Sequence, residues 1–190
     1  MGAACGGDDD EAGGPTTTSV PTVATASTVA PTTASPTTAA VRLGATSRLR
    51  VDGVGPVRFG MSVDEARRVA GVPVQAIDGP YCRGFRTTGD APVEVLAEAS
   101  ERINLVIVAD PPIRTQSGIA VGSARADVLA AYPGQVEVRP GAPGPHWLVY
   151  RARDPALAAF SLVFQIDDGG RVRTMKAGVR ERAEADENCA

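Results

Sequence analysis

Residues 55–71 read GPVRFGMSVDEARRVAG, and they predict a short strand, a glycine turn and a capped helix. Ser62 is a residue type that favours a helix N-cap, and Glu65, three residues later, completes a capping box. Gly71 ends the helix, and Pro73 prevents its continuation because proline has no backbone N–H.

The same order of signals returns at residues 118–133, GIAVGSARADVLAAYP. The same helix face is apolar in both segments, but large and small side chains occupy different positions on it. The aligned pairs are Ala66 and Val128, Val69 and Ala131, and Ala70 and Tyr132. We therefore expect an α+β fold of two tandem repeats, each with a short strand, a helix and antiparallel strands. Repeat one covers about residues 50–110 and repeat two about residues 113–178. Since one helix cannot cover such a sheet, both repeats are expected to pack as one domain within residues 46–190.

Alternation of apolar and polar residues predicts the strands that follow each helix. The predicted strands are residues 54–59, 93–97, 102–108, 135–139, 146–151, 160–166 and 171–177. The predicted strand at residues 102–108 places Ile103, Leu105 and Ile107 on one face. In the strand at 160–166, apolar and polar residues alternate as they do in a half-buried strand. Residues 74–92 are expected to be irregular, and the tail at 179–190 is polar without an evident anchor.

Residues 1–14 begin MGAACGG and continue with an acidic run. Small residues before Cys5 and the glycine pair after it resemble the cleavage box of bacterial lipoproteins, although Gly2 stands where a branched aliphatic residue is usual. The resemblance implies that Cys5 is the lipidated first residue of the mature protein and anchors it in a membrane. The alternative is a chance match.

Residues 15–45 are predicted to be a disordered tether, because residues 15–40 consist almost wholly of Thr, Pro, Ala, Ser and Val. Such a stretch has no large side chains to offset the entropy of ordering. Together with Cys5 it predicts an extracytoplasmic protein of the cell envelope, either lipid-anchored to the cell membrane or secreted. The alternative is a disordered tail without a tethering role.

Charge and hydropathy argue against two kinds of partner. Of the 19 basic residues 18 are Arg, and after the four acids at positions 8–11 the remaining 18 acidic residues nearly balance them. That balance lacks the strongly basic face of a nucleic-acid-binding protein. No apolar run approaches the roughly 20 residues that span a bilayer.

The sequence contains no recognisable catalytic or cofactor-binding pattern. His146 is the only histidine, and residues 60–64 lack the second glycine of a nucleophile elbow. One His and three widely separated Cys do not supply the ligand spacing of a zinc site. The glycines at 55 and 60 lack the Lys-Ser/Thr pair of a phosphate loop. The sequence therefore predicts no catalytic residue, no metal and no cofactor, and a protein that is not an enzyme.

Three motifs carry a resemblance to a known group. They are Gly-x-x-x-x-Gly-Met-Ser-x-x-Glu-Ala at 55–66, Arg-Thr-x-x-Gly-Ile-x-Val-Gly at 114–122, and Cys-Ala at 189–190. With the preceding tether they resemble a group of actinobacterial envelope lipoproteins. The tandem strand-helix-sheet order is distantly similar to beta-lactamase inhibitor protein and to small outer-membrane-assembly lipoproteins. Those architectures imply a binding module, although fold analogy is a weak argument for function.

The expected function is therefore non-catalytic protein binding, inhibitor-like or assembly-factor-like, to an envelope protein. The alternatives are a domain that binds a small molecule or a cell-wall ligand, and a hydrolase that uses two carboxylates. Exposure of Trp147 or Tyr150 on a sheet face would favour protein binding. A cavity of a few hundred Å³ between the repeats would favour a ligand, and two acids about 5–10 Å apart in a cleft would favour hydrolysis.

Cys82 and Cys189 are expected to form a disulfide. Cys5 is set apart by its position before the tether, and an exported chain keeps such a pair oxidised. The bond would anchor the polar tail and close a loop of about 100 residues, with a stabilisation of at most about 4–5 kcal/mol by chain entropy.

Overall fold

The computed structural model describes residues 42–98, 101–141 and 144–189. Cys5 and the predicted tether up to residue 41 lie outside the described residues. The described chain is mixed α+β and consists mostly of sheet, which confirms the predicted fold class.

Twelve strands and three α-helices are present in these ranges. In chain order the strands are β1 (Arg48–Arg50), β2 (Gly53–Val54), β3 (Val57–Arg58), β4 (Val74–Asp78), β5 (Cys82–Thr87), β6 (Glu94–Glu98), β7 (Leu105–Val108), β8 (Arg114–Thr115), β9 (Val136–Gly141), β10 (Gly144–Tyr150), β11 (Phe160–Ile166) and β12 (Val172–Val179). The helices are α1 (Val63–Ala70), α2 (Arg125–Ala131) and α3 (Arg180–Ala183), with a 3-10 turn at Pro155–Leu157.

Eight of the strands form one antiparallel sheet with the order β4-β5-β6-β7-β12-β11-β10-β9, and the other four form a small sheet with the order β3-β2-β1-β8. Strands β4–β7 follow α1 in the chain, and β9–β12 follow α2. The last strand of each group, β7 and β12, pair with each other, with Leu105 opposite Gly178. The middle of the large sheet is therefore where the two halves of the chain meet.

The first helix begins and ends where the sequence predicts. The Ser62 hydroxyl accepts a hydrogen bond from the Glu65 N–H at 3.2 Å, and Gly71 takes a left-handed conformation with a φ of 63°. At α2 the N-cap position is Ala124, which has no side-chain acceptor. There the Asp127 carboxylate instead accepts from the Ala124 N–H at 3.0 Å, so the two helices are capped by different means.

The strand predicted at residues 54–59 is instead a tight hairpin. Val54 of β2 pairs with Val57 of β3, and Gly55 in the turn has a φ of 51°. A residue with a side chain rarely adopts that conformation, so glycine at this position allows the chain to reverse.

One face of the large sheet, called the inner face, packs against α1, α2 and the small sheet in a single apolar cluster. Leu162, Phe164 and Ile166 of β11 lie in it, as the alternation predicts. Their neighbour Val163 is also buried, on the opposite face. The strand is therefore buried on both faces, and the prediction that it is half-buried is wrong.

The opposite face, called the outer face, carries a second apolar cluster made of Cys82, Leu96, Leu105, Ile107, Trp147, Val149, Val163 and Ala183. Ala183 belongs to the C-terminal strap, which is defined as residues 180–189 and contains α3. Cys189, at the other end of the strap, packs against the same cluster. The predicted polar tail is thus a strap that covers part of the outer face.

Two further expectations about strands are wrong. Residues 74–92 were expected to be irregular, but they contain β4 and β5. Ile103 was expected on the same face as Leu105 and Ile107, but it lies in the inner cluster and they lie in the outer one. The sequence of β4 lacks the apolar alternation of a half-buried strand, because β4 is an end strand of the sheet in the described residues. Ile103 precedes β7, so the alternation of that strand does not apply to it.

Candidate functional site: a groove on the outer face of the large sheet

A groove of about 420 Å³ lies on the outer face at the middle of the large sheet. One row of cross-strand neighbours runs through it, from Arg86 on β5 through Glu94 and Ile107 to Lys176 on β12. The groove therefore spans the β7–β12 junction and draws its side chains from both halves of the chain.

Lys176 lies on the floor of the groove and is 1% exposed. Its Nζ donates a hydrogen bond to the Ala185 carbonyl oxygen of the strap at 3.0 Å. The same nitrogen lies 5.1 Å from the centroid of the Trp147 ring. A buried ammonium group needs such compensation, because removing a charge from water is costly, and a cation over an aromatic face recovers about 0.5–2 kcal/mol.

The mouth of the groove carries charges of both signs. Arg86 Nε donates to a Glu94 carboxylate oxygen at 3.0 Å, and Asp110 lines the same side. The hydrogen bond and charge of Glu94, followed by the charge of Asp110, raise the pKa of Arg86. Among the described lining residues, Lys176 and Arg86 are cations, and Glu94 and Asp110 are anions.

The strap supplies one wall of the groove through Asn188. The Oδ1 atom of this side chain is buried and has no hydrogen-bond partner among the residues that the structure describes. A buried acceptor without a donor destabilises the protein by about 1–3 kcal/mol.

The groove thus offers a cation and an acceptor beside a small apolar surface. Gln165 and Thr174 add an amide and a hydroxyl to the lining, and Ile107 and Val93 add the apolar part. This combination is typical of a site that orients a small polar molecule, since a few placed polar groups among apolar ones give specificity.

The strap is held next to the groove by an ionic network. The carboxylate of Glu184 contacts Arg139 at 2.8 Å and Arg151 at 3.0 Å. The buried Ser161 hydroxyl donates to the same carboxylate at 2.6 Å. Glu137 completes the network, with contacts of 2.8 Å to Arg139 and 2.6 Å to Arg151.

The two carboxylates of this network have lowered pKa values. Burial is the largest influence on Glu184 and acts to raise its pKa, but the Ser161 hydroxyl and the two guanidinium groups outweigh it. Hydrogen bonds from Arg139 and Arg151 lower the pKa of Glu137 from 4.5 to about 2. Both groups therefore favour the ionised form, whereas a general acid needs a raised pKa.

The predicted binding surface of Trp147 and Tyr150 is not formed. Trp147 is 7% exposed and lies in the outer cluster. Tyr150 is half-buried on the inner face, with its ring centroid 4.5 Å from that of Tyr132. The two residues are three apart on one strand, so their side chains point to opposite faces.

The other predicted residues are placed as follows. Cys82 and Cys189 lie at disulfide distance, with Cα atoms 5.2 Å apart, which confirms that pairing. His146 is exposed and pairs across the sheet with Ile166. The lipidation site Cys5 is among the residues that the structure does not describe.

Local sequence patterns did not predict the groove residues. Lys176 is the only lysine in a chain with 18 arginines. It lies between Met175 and Ala177, which are both buried on the inner face. A lone lysine in an otherwise apolar part of a strand could have indicated a buried site. Its partners could not have been predicted, because they come from strands that are distant in sequence.

Within residues 42–98, 101–141 and 144–189, no group of three or more His, Cys, Asp or Glu side chains is arranged to hold a metal ion. None of the helices in these ranges is long and apolar enough to cross a membrane. Comparison with protein-family models, with curated proteins and with solved structures finds no match to this chain.

Proposed function

We propose that the folded domain is a non-catalytic receptor for a small polar ligand, which binds in the groove on the outer face. The observation that carries the proposal is the placement of the only lysine, Lys176, on the floor of a groove of about 420 Å³. A volume of that size lies within the range of small-molecule sites, roughly 300–1,000 Å³.

The lining indicates the class of ligand. The positive charge of Lys176 favours an anionic group such as a carboxylate, and the amide of Asn188 in the wall suits a polar N–H or O–H group. Ile107, Pro92 and Ala109 supply a small apolar surface for a short apolar part of the ligand. A ligand about the size of an amino-acid derivative or a dipeptide meets all three requirements.

We infer that the groove binds and does not catalyse. Glu94 is hydrogen-bonded to Arg86, which suits an acceptor and not a general acid. The carboxylates with clearly shifted pKa values, Glu137 and Glu184, are shifted downward and do not line the groove. These observations give no support to the carboxylate-dependent hydrolase.

We test the receptor proposal by NMR of the full-length chain. N-acetylglycine is the probe, and N-acetylglycinamide is the matched neutral compound. The single ζ-ammonium resonance of Lys176 is expected to shift with N-acetylglycine and to shift less with the amide. Binding to the variants is followed by the backbone amide resonances of β7 and β12, and it should be lost in Lys176→Met and kept in Arg173→Met, which alters an exposed residue of the same strand. Equal binding to both variants would contradict the proposed site.

A protein partner is the second candidate function, and the edges of the large sheet favour it. The end strands in the described chain are β4 and β9, and Val138 on β9 is 45% exposed. An end strand can add a strand from a partner. Crosslinking from the native envelope, followed by comparison of wild type with Val138→Lys, tests this interface, because a charge there blocks such pairing.

We also propose that the protein is extracytoplasmic and is held to the membrane by a lipid on Cys5. The support is the lipoprotein-like context of Cys5, the Thr/Pro-rich stretch after it, and a disulfide pair of the kind that persists in oxidising compartments. Lipid labelling of the full-length gene product in its native cell is expected to disappear in Cys5→Ala. Equal labelling of that variant would exclude the anchor.

The tandem-repeat organisation remains a proposal as well. It is supported by the order of the large sheet, in which four consecutive strands follow each helix and the last strand of each group pairs at the centre. This organisation accords with the proposed resemblance to tandem-repeat envelope lipoproteins. It also gives a reason why a site lies at the junction, where neither half alone supplies the whole lining.

A further inference from the structure

We propose that the Cys82–Cys189 disulfide locks one wall of the groove, so that the ligand site is complete only in the oxidised protein. The inference rests on the proposed function only for its ligand-binding readout. The movement of the strap itself is measured separately.

The strap is held at two separate places. The proximal anchor consists of the fully buried Ala183, the Glu184 carboxylate in its ionic network, and the Ala185 carbonyl that accepts from Lys176. The distal anchor is the bond from Cys189 to Cys82 on β5, with Cα atoms 5.2 Å apart. The two anchors connect the strap to opposite halves of the large sheet, since Glu184 contacts residues of β9 and β10 or adjacent to them.

The segment between the anchors contains the groove wall. Asp186 and Glu187 are exposed, and Asn188 precedes Cys189 and lines the groove with a buried Oδ1 atom that has no hydrogen-bond partner among the described residues. The exposed residues contribute little apolar burial to hold this segment. Its position therefore depends on the disulfide.

Reduction has a defined local consequence. A dithiol reductant breaks the bond between the two sulfur atoms, which take up two electrons and two protons to become the thiols of Cys82 and Cys189, while the reductant becomes a disulfide. Residues 186–189 then leave the outer face, but α3 and Glu184 stay in place. The groove loses Asn188, and the Lys176 amine becomes accessible from that side.

The single lysine makes this opening measurable without any ligand. Oxidised and dithiol-reduced full-length protein are treated with an amine-acetylating reagent, and acetylation of Lys176 is followed by peptide mass spectrometry. The rate is expected to rise roughly tenfold or more on reduction, because labelling of a buried group follows the population of the open state. The Cys82→Ser and Cys189→Ser variants should label at the reduced rate, and reoxidation of the wild type should restore the slow rate.

Hydrogen exchange separates a local lock from global unfolding. Amides of β7, β11 and β12 are expected to stay protected after reduction, even though Lys176 is acetylated faster. Equal acetylation rates in both states would overturn the proposal. Loss of protection throughout the large sheet would also overturn it, because the disulfide would then hold the whole fold and not one wall.

The effect of reduction on ligand binding is measured with N-acetylglycine as the probe. Its affinity for the reduced protein is expected to fall about five- to tenfold, as for the loss of one hydrogen bond. An unchanged affinity together with faster acetylation would show that the wall opens without serving the site, and would overturn that part of the proposal. Absence of binding even to oxidised protein would count against the proposed function, while the acetylation rates would still decide whether the lock exists.

Discussion

Lys176 occupies a buried position, which a lysine rarely does unless its charge is compensated. Its side chain is buried between the Trp147 ring and the strap, and its nitrogen donates to the Ala185 carbonyl. Replacing a whole buried ion pair by apolar groups is often neutral or stabilising, whereas removing one partner alone leaves the others uncompensated and destabilises the protein. A residue that breaks the local pattern in this way is expected at a functional site.

We therefore expect Lys176→Met to keep the fold while losing the ligand. The free energy of unfolding should fall by about 1–3 kcal/mol, since methionine fills the space but leaves the Ala185 carbonyl without its donor. Urea denaturation measures it, with Arg173→Met as the control on the same strand. A loss of more than about 3 kcal/mol would mean that the charge holds the fold together, and would weaken the assignment of Lys176 to a binding role.

Gly84 allows the backbones of β5 and β6 to approach each other closely. A Cβ atom at this position would lie 2.1 Å from the Val95 carbonyl oxygen on β6, which no real contact allows. Gly84→Ala is expected to lower the free energy of unfolding by about 1–3 kcal/mol through forced separation of β5 and β6. Gly79→Ala is the matched control, because its added atom would meet the Cys82 carbonyl at an ordinary 3.5 Å. Equal stability of the two variants would contradict this account.

Among the elements, the strap differs most from its sequence-based expectation. Its residues are mostly polar, and the side chains that hold it, Arg139 and Arg151, come from elsewhere in the chain. The network depends on the fold, because Arg139 lies on β9 and Arg151 directly follows β10. Ionised carboxylates are required for it, so the attachment of the strap depends on pH.

We expect the network to lose stability in acid. The folded pKa of Glu137 is lowered to about 2 from 4.5, so its contribution is fully present above about pH 4.5 and is lost as the pH falls towards 2. The contribution is modest, because the Glu137 side chain is 47% exposed and solvent screens its ion pairs. The stability difference between wild type and Glu137→Gln should shrink over this range, whereas Glu181→Gln, on the exposed side of α3, should show no such change. A difference independent of pH would contradict the assigned cause.

Local signals predicted some elements well. The cap at Ser62, the stop at Gly71 and the apolar alternation of β11 depend on neighbours within a few residues, so they can be read directly from the chain. The strands β4 and β5 were missed because an end strand needs little apolar sequence. The groove was missed because it depends on cross-strand register, which brings Glu94 and Lys176 to either side of Ile107.

At the scale of the whole molecule, the pairing of β7 with β12 joins the two halves of the chain in one sheet. The inner cluster contains Phe85 and Val95 from the first half together with Leu148 and Phe164 from the second. Since neither group of strands has an apolar core of its own in the described residues, we expect the halves to unfold together. The disulfide adds a covalent connection, because it joins β5 to the end of the strap across a sequence separation of 107 residues.

The last prediction concerns that connection. Replacing both Cys82 and Cys189 by Ser should lower the free energy of unfolding by about 2–5 kcal/mol, because the bond limits the freedom of the unfolded chain. The transition should stay cooperative, since the shared core and the β7–β12 pairing remain. Urea unfolding is followed by fluorescence of Trp147, the only tryptophan, and by far-ultraviolet circular dichroism of all strands; coincident curves are expected. Cys5→Ser is the control, since it removes a cysteine and leaves the disulfide intact. If the fluorescence and circular dichroism curves of the double variant do not coincide, the disulfide, and not the core, holds the two halves together.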